Sequence, residues 1–138
     1  MTDALFVYGT LMKGFPLHHL LEGSARFLGE GQIKARLFSL GDFPGAVEDP
    51  RGVVFGEVYQ SDRMTDLLVR IDEEEEYDPG DEQGSLFIRR EVPVRLLEEG
   101  TTLRAWVYFY NGPLTRARPI LNGSWRRAQG VDRESSAG

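Results

Sequence analysis

The sequence predicts one α+β domain: about five strands curled into an antiparallel or mixed sheet, packed against helices. Three observations carry this. Short β-type runs closed by glycine or proline recur along the chain, at 4–9, 32–41, 52–60, 87–97 and 102–111. A single stretch, 62–71, has a clear helical stripe. Regular βαβ units are missing, which argues against a doubly wound fold. With 138 residues, 41% hydrophobic and 28% charged, the chain has the size and composition of one globular core. The domain is expected over 1–127, followed by a disordered tail at 128–138, AQGVDRESSAG, which has a single sizeable apolar side chain.

Each element has its own reason. ALFVYG (4–9) is an apolar run ended by glycine, as suits a central strand entering a tight turn. In LMKGFPLHHLLEG, Gly14 and Pro16 precede Leu17, Leu20 and Leu21 at helical spacing, so a loop leads into a short helix. QIKARLFSLG (32–41) alternates Ile33, Ala35 and Leu37 with Lys34 and Arg36, whereas GDFPGAVEDPRG (41–52) is punctuated as a loop. GVVFGEVYQ (52–60) returns to β, and its internal Gly56 marks a bulge or a close backbone approach. Ser61 or Asp62 can cap the next helix, where Met64, Leu67, Leu68 and Ile71 line one face. FIRREVPVRLL (87–97) and TLRAWVYFYN (102–111) form two more strands, with Pro93 placing the first at an edge or bulge. Ile120, Leu121 and Trp125 dock a C-terminal segment. Periodicity alone leaves both an open sheet and a barrel in play.

Charge and residue usage exclude several classes of chemistry. No cysteine is present, which removes disulfides and thiolate nucleophiles, and no apolar run approaches the length of a membrane-spanning helix. The start, MTDALFVYGT, reads as a strand and not a signal peptide, so the expected compartment is the cytoplasm. The two histidines, His18 and His19, are adjacent and do not share a helical face, and there is neither a G-x-S-x-G elbow nor a zinc-binding spacing. Neither G-x-G-x-x-G nor a P-loop occurs. No cofactor and no metal are therefore expected. Arg116, Arg118, Arg126, Arg127 and Arg133 form a basic stretch without a reading motif, best taken as solvated surface or internal ion pairing, and no nucleic-acid or membrane partner is expected.

Two features remain. Residues 72–82, DEEEEYDPGDE, hold eight acids and no base, whereas the rest of the chain has 14 acids against 16 bases. Most of these carboxylates must face water, yet one turned toward a pocket would be prepared for proton transfer near neutrality. The other feature is Tyr8-Gly9-Thr10-Leu11, whose successive backbone N–H groups can form an anion-binding nest and whose glycine allows close approach. Taken alone, the first reads as a solvated acidic loop and the second as a structural turn.

Together these segments make the sequence resemble the γ-glutamylcyclotransferase-like family, including its AIG2-like and small bacterial branches. The N-terminal YGTL (8–11), the strand GVVFGEVY (52–59) and IDEEEEY (71–77) stand in the order of the family's motifs, over roughly residues 4–126. Ile71 through Tyr77 is similar to the family's L-D-x-x-E-G-Y, which sets the family's catalytic glutamate on Glu75. Two departures stand out: Glu76 occupies the usual glycine, and DPGDEQGSLF is inserted after Tyr77. The resemblance implies a small mixed β-barrel with flanking helices and a pocket between YGTL and the glutamate. It also implies attack by a γ-glutamyl α-amine on its own side-chain carbonyl, releasing 5-oxoproline and an amine. Glu75 would be the general acid–base, with Tyr8, Gly9, Thr10, Leu11 and Tyr110 as substrate-binding residues and a small-molecule γ-glutamyl amine or peptide as partner. The alternative is a non-catalytic small-molecule binding module on the same fold.

Overall fold

In a computed structural model, residues 2–130 are described, in the order β1 (Ala4–Val7), a 3-10 turn (His18–Leu20), β2 (Arg26–Ile33), β3 (Ala35–Ser39), β4 (Pro44–Glu48), β5 (Val54–Gln60), α1 (Met64–Glu74), β6 (Phe87–Leu96), β7 (Thr102–Tyr110), β8 (Arg118–Ile120) and α2 (Trp125–Ala128). The sheet closes. β1, β5, β2, β6 and β7 form a five-stranded barrel, and β4, β3 and β8 form a separate three-stranded sheet. All barrel pairings are antiparallel except the closing one, where Leu5 of β1 lies parallel to Trp106 of β7. Closure leaves β1 without a free edge and explains why all four of its residues are buried.

Several elements differ from the sequence reading. The 32–41 segment breaks at Lys34, so that Gln32 and Ile33 end β2 and Ala35 begins β3. The 41–52 segment contains a strand, β4, paired along β3 from Ala35↔Glu48 to Ser39↔Pro44. Proline is tolerated at its first position, and Gly45 is needed because a Cβ there would stand 2.6 Å from Cβ of Tyr110. The helix expected after Pro16 is one 3-10 turn, where His18 is half-buried and His19 exposed. At α1 the N-cap is Arg63 and has no side-chain cap; Ser61 Oγ instead accepts the Arg63 N–H. Of the segment 128–138 expected to be disordered, Ala128 belongs to α2, Gln129 caps it and Gly130 turns with φ 77°, while 131–138 lie outside the described residues.

Other expectations hold in detail. A Cβ on Gly56 would lie 2.2 Å from the carbonyl oxygen of Val7, so glycine there permits close backbone approach and not a bulge. Pro93 pairs with Arg104 of β7, but β6 meets β2 only at Arg95 and Leu96, so the proline sits on an unpaired stretch of strand edge. The stripe of α1 buries Met64, Leu67, Leu68 and Ile71, and all four join the barrel core.

The end of α1 is the most informative local geometry. Helix continues through Glu74, Glu75 is the C-cap, and Glu76 takes φ 53°. The Glu76 N–H donates to Glu73 O at 3.3 Å and the Tyr77 N–H to Asp72 O at 2.9 Å, the paired closure of a Schellman turn. That turn needs a left-handed residue, for which glycine is the unstrained choice. A side chain in this conformation costs about 1–2 kcal/mol, against which glycine gives up about 0.5–1 kcal/mol of unfolded-chain entropy. Glu76→Gly should therefore raise stability by roughly 0.5–1 kcal/mol, read as a higher urea midpoint at unchanged slope.

Candidate active site

Continuing α1 past Ile71 decides where the acidic run points. Residues three apart share a helix face, so Asp72 and Glu75 turn inward together, while Glu73, Glu74 and Glu76 are exposed. Asp72 is buried. Its Oδ1 accepts from Arg89 Nε at 2.8 Å and from the Tyr108 hydroxyl at 2.5 Å, and its Oδ2 accepts from Arg89 Nη2 at 3.0 Å. The Arg89 guanidinium also lies over the rings of Trp106 and Tyr77, 4.9 and 5.4 Å from their centroids. One carboxylate thus binds the last turn of α1 to β6 and β7. The signal for it was in the sequence: Asp72 follows Leu68 by four, on the apolar stripe itself.

Held this way, Glu75 is half-buried in the wall of a cavity of about 280 Å³. Gly9, Thr10 and Leu11 line the same cavity, together with Tyr8, Phe43, Pro44, Leu86, Phe87 and Tyr108. Desolvation pushes the Glu75 carboxyl up to about 7, with a further rise from the neighbouring Glu74 charge. Glu75 also caps the C-terminal end of a helix, where the peptide dipoles disfavour an anion.

The opposite wall is the turn after β1. Met12 N–H donates to Gly9 O at 3.0 Å and Leu17 N–H to Thr10 O at 2.9 Å, whereas the N–H groups of Gly9, Thr10 and Leu11 have no hydrogen-bond partner among the described residues. Glycine is required at position 9, since a Cβ would stand 2.6 Å from Pro44 Cγ. The turn is braced from behind by Glu57, whose Oε1 accepts the Lys13 N–H at 3.0 Å and the Tyr59 hydroxyl at 2.9 Å. Arg126 Nη2 reaches both Glu57 Oε2 at 2.9 Å and Lys13 O at 2.8 Å. One of the five arginines of the basic stretch is therefore part of the internal framework, and the glutamate of the GEVY strand is its partner.

The two expected tyrosines, Tyr8 and Tyr110, are placed differently. Tyr110 is not among the residues lining this cavity: its ring packs on Phe87, 5.7 Å between centroids, and its hydroxyl donates to Pro113 O. Tyr108, on the same face of β7, lines the cavity instead. Tyr8 does line it, but its hydroxyl donates its one proton to Tyr108 O at 2.6 Å and accepts the Ala46 N–H at 3.0 Å. Burial, and then the Glu75 charge, push the Tyr8 hydroxyl well above its ordinary pKa, so it stays protonated. Tyr8 is a strut joining β1, β7 and β4.

The sequence profile of the family described as gamma-glutamyl cyclotransferase, AIG2-like, matches residues 5–127. The chain belongs to that family. It is 38% identical over 109 residues to the gamma-L-glutamyl-butirosin B gamma-glutamyl cyclotransferase of Niallia circulans, covering 78% of this chain and 66% of that one. It is 33% identical over 122 residues to the gamma-glutamylcyclotransferase family protein YtfP of Escherichia coli (strain K12), covering 88% and 94%. The crystal structure of YkqA from Bacillus subtilis superposes with a TM-score of 0.72 at 26% identity, over 97% of this chain and 43% of that one. The chain thus spans less than half the length of YkqA. No helix among the described residues is long and apolar enough to cross a membrane.

Tyr8→Phe tests the strut. It leaves the buried Ala46 N–H and Tyr108 carbonyl short of a partner, and should cost about 1–3 kcal/mol in chemical denaturation.

Proposed function

We propose that the chain is a γ-glutamyl cyclotransferase acting on a γ-glutamyl amine or peptide. The observation that carries this reading is one cavity with a half-buried carboxyl near neutrality on one wall and unpartnered backbone N–H groups on the other. The N–H groups of Gly9, Thr10 and Leu11 suit the α-carboxylate of the γ-glutamyl head. Glu75, ionised, takes a proton from the α-amine as its nitrogen bonds to the side-chain carbonyl carbon. Glu75 then returns that proton to the departing nitrogen as the original amide bond breaks. The products are 5-oxoproline and an amine, with no atom supplied from outside. Because nucleophile and electrophile share one molecule, the protein need only fold the substrate and carry one proton. The activity named for the Niallia relative supports the same class of head group.

Glu75→Gln keeps the size of the side chain but cannot shuttle a proton. It should lower the release of 5-oxoproline, followed by mass spectrometry, by about 10²–10⁴-fold. Glu73→Gln, on an exposed side chain outside the cavity, should change it little. Equal small losses in both variants would favour a binding module over an enzyme.

The pH dependence follows from the raised carboxyl. Since the base must be ionised, kcat/KM should rise with pH through about 7. Stability should move oppositely. A pKa raised from 4.5 to about 7 gives a contribution fully present below 4.5 and lost as pH climbs through 7. Glu75→Gln should flatten both trends, in initial rates and in thermal melts taken from pH 4 to 9.

A further inference from the structure

The adjacent histidines, His18 and His19, are not used by the proton transfer, yet each makes one hydrogen bond that leads to the turn after β1. His18 Nδ1 lies 3.0 Å from Leu11 O, and His19 Nδ1 lies 2.9 Å from Pro16 O. A carbonyl can only accept, so Nδ1 carries the hydrogen in both rings. Neighbouring residues of a 3-10 turn point to different sides, which is why the two rings reach different peptides.

From each of these carbonyls a chain of bonds runs on to the cavity wall. Leu11 O shares a peptide unit with Met12 N–H, which donates to Gly9 O at 3.0 Å; Gly9 O in turn shares a unit with Thr10 N–H. Pro16 O shares a unit with Leu17 N–H, which donates to Thr10 O at 2.9 Å; Thr10 O in turn shares a unit with Leu11 N–H. The two chains therefore end separately, on the N–H groups of Thr10 and Leu11, two of the unpartnered donors at the cavity. Within a planar peptide the carbonyl and the N–H point in opposite directions, so fixing one aims the other. Hydrogen bonds in series also polarise one another, which makes the last N–H a stronger donor to an anion.

Resting on the cyclotransferase reading, we infer that His18 and His19 are positioning residues, which orient and polarise the Thr10 and Leu11 N–H groups for the substrate's α-carboxylate. Neither histidine lines the cavity; each acts through two peptide units. Their contributions are unequal. His18 is half-buried, its ring centroid 5.8 Å from that of Tyr59, so loss of its donor leaves Leu11 O short of a partner. His19 is exposed, and water can replace its bond to Pro16 O.

The test titrates 5-oxoproline and its neutral amide, 5-oxoprolinamide, into the full chain and its variants, with urea midpoints to check folding. His18→Leu removes the donor, whereas His18→Asn restores an N–H at the same remove from Cβ as Nδ1. His18→Leu should weaken 5-oxoproline binding by about five- to ten-fold and His19→Leu by about two-fold, with little change for the amide. His18→Asn should bind 5-oxoproline within about two-fold of the parent. An acid-to-amide ratio unmoved in both leucine variants overturns the inference and leaves the cyclotransferase reading standing. A loss at His18→Leu that asparagine does not restore, or that falls equally on the amide, marks a merely structural side chain and overturns the role of His18. Should His18→Leu fail to fold, an unmoved ratio in the exposed His19→Leu variant overturns the inference by itself. Failure of the unsubstituted protein to release 5-oxoproline from any γ-glutamyl amide overturns the cyclotransferase reading, and the inference with it.

Discussion

The Asp72 carboxylate is the contact on which the rest of the site depends. Bidentate pairing with Arg89 and a hydrogen bond from Tyr108 fix the last helical turn against two strands of the barrel. Removing one member of so enclosed a pair leaves a charge without compensation, a larger penalty than the net worth of the intact pair. Glu75 lies one turn farther along the same face, so its position is set by the contacts of its neighbour Asp72. The rings of Tyr77 and Trp106 flank the Arg89 guanidinium and further restrict the clamp.

The barrel supplies the other half of the geometry. Closing β1 against β7 buries the strand that leads into Tyr8, and the Tyr8 hydroxyl then joins β7 to β4. The turn that follows emerges from a rigid base, with Pro44 pressed against Gly9 and the Glu57–Arg126 pair holding Lys13 from behind. A backbone nest works only if its N–H groups stay unpaired and aimed, and here the surrounding bonds fall on the carbonyls and on Lys13.

Much of this was legible in the residues, and what was not has identifiable causes. β1, β5, α1, β6 and β7 announce themselves through apolar runs or a helical stripe. β4 does not, because Pro44 and Gly45 look like loop punctuation until the Gly45–Tyr110 approach is known. The first six residues of β2, RFLGEG, are hidden by two glycines and an exposed face. Closure was invisible because the deciding pair, Leu5 and Trp106, is parallel and distant in sequence. Motif order set Glu75 among five consecutive acids, whereas Asp72, read by composition as one of a solvated run, proved to be a buried anchor. Tyr108 rather than Tyr110 lines the cavity because the ring of Tyr110 is taken up by Phe87.

The bracing of the turn by Arg126 has a consequence for the order in which the molecule is assembled. Arg126 and Lys13 are 113 positions apart, and Tyr8 and Tyr108 are 100 apart. Contacts this remote come at the highest loop-closure entropy and form only once the intervening chain has collapsed around them. Helix α1, by contrast, winds from local contacts. An incompletely folded chain would thus already present its acidic helix end while lacking the braced turn after β1. Such a species has one wall of the cavity and lacks the other, so the cavity is completed only by the contacts that span the whole chain.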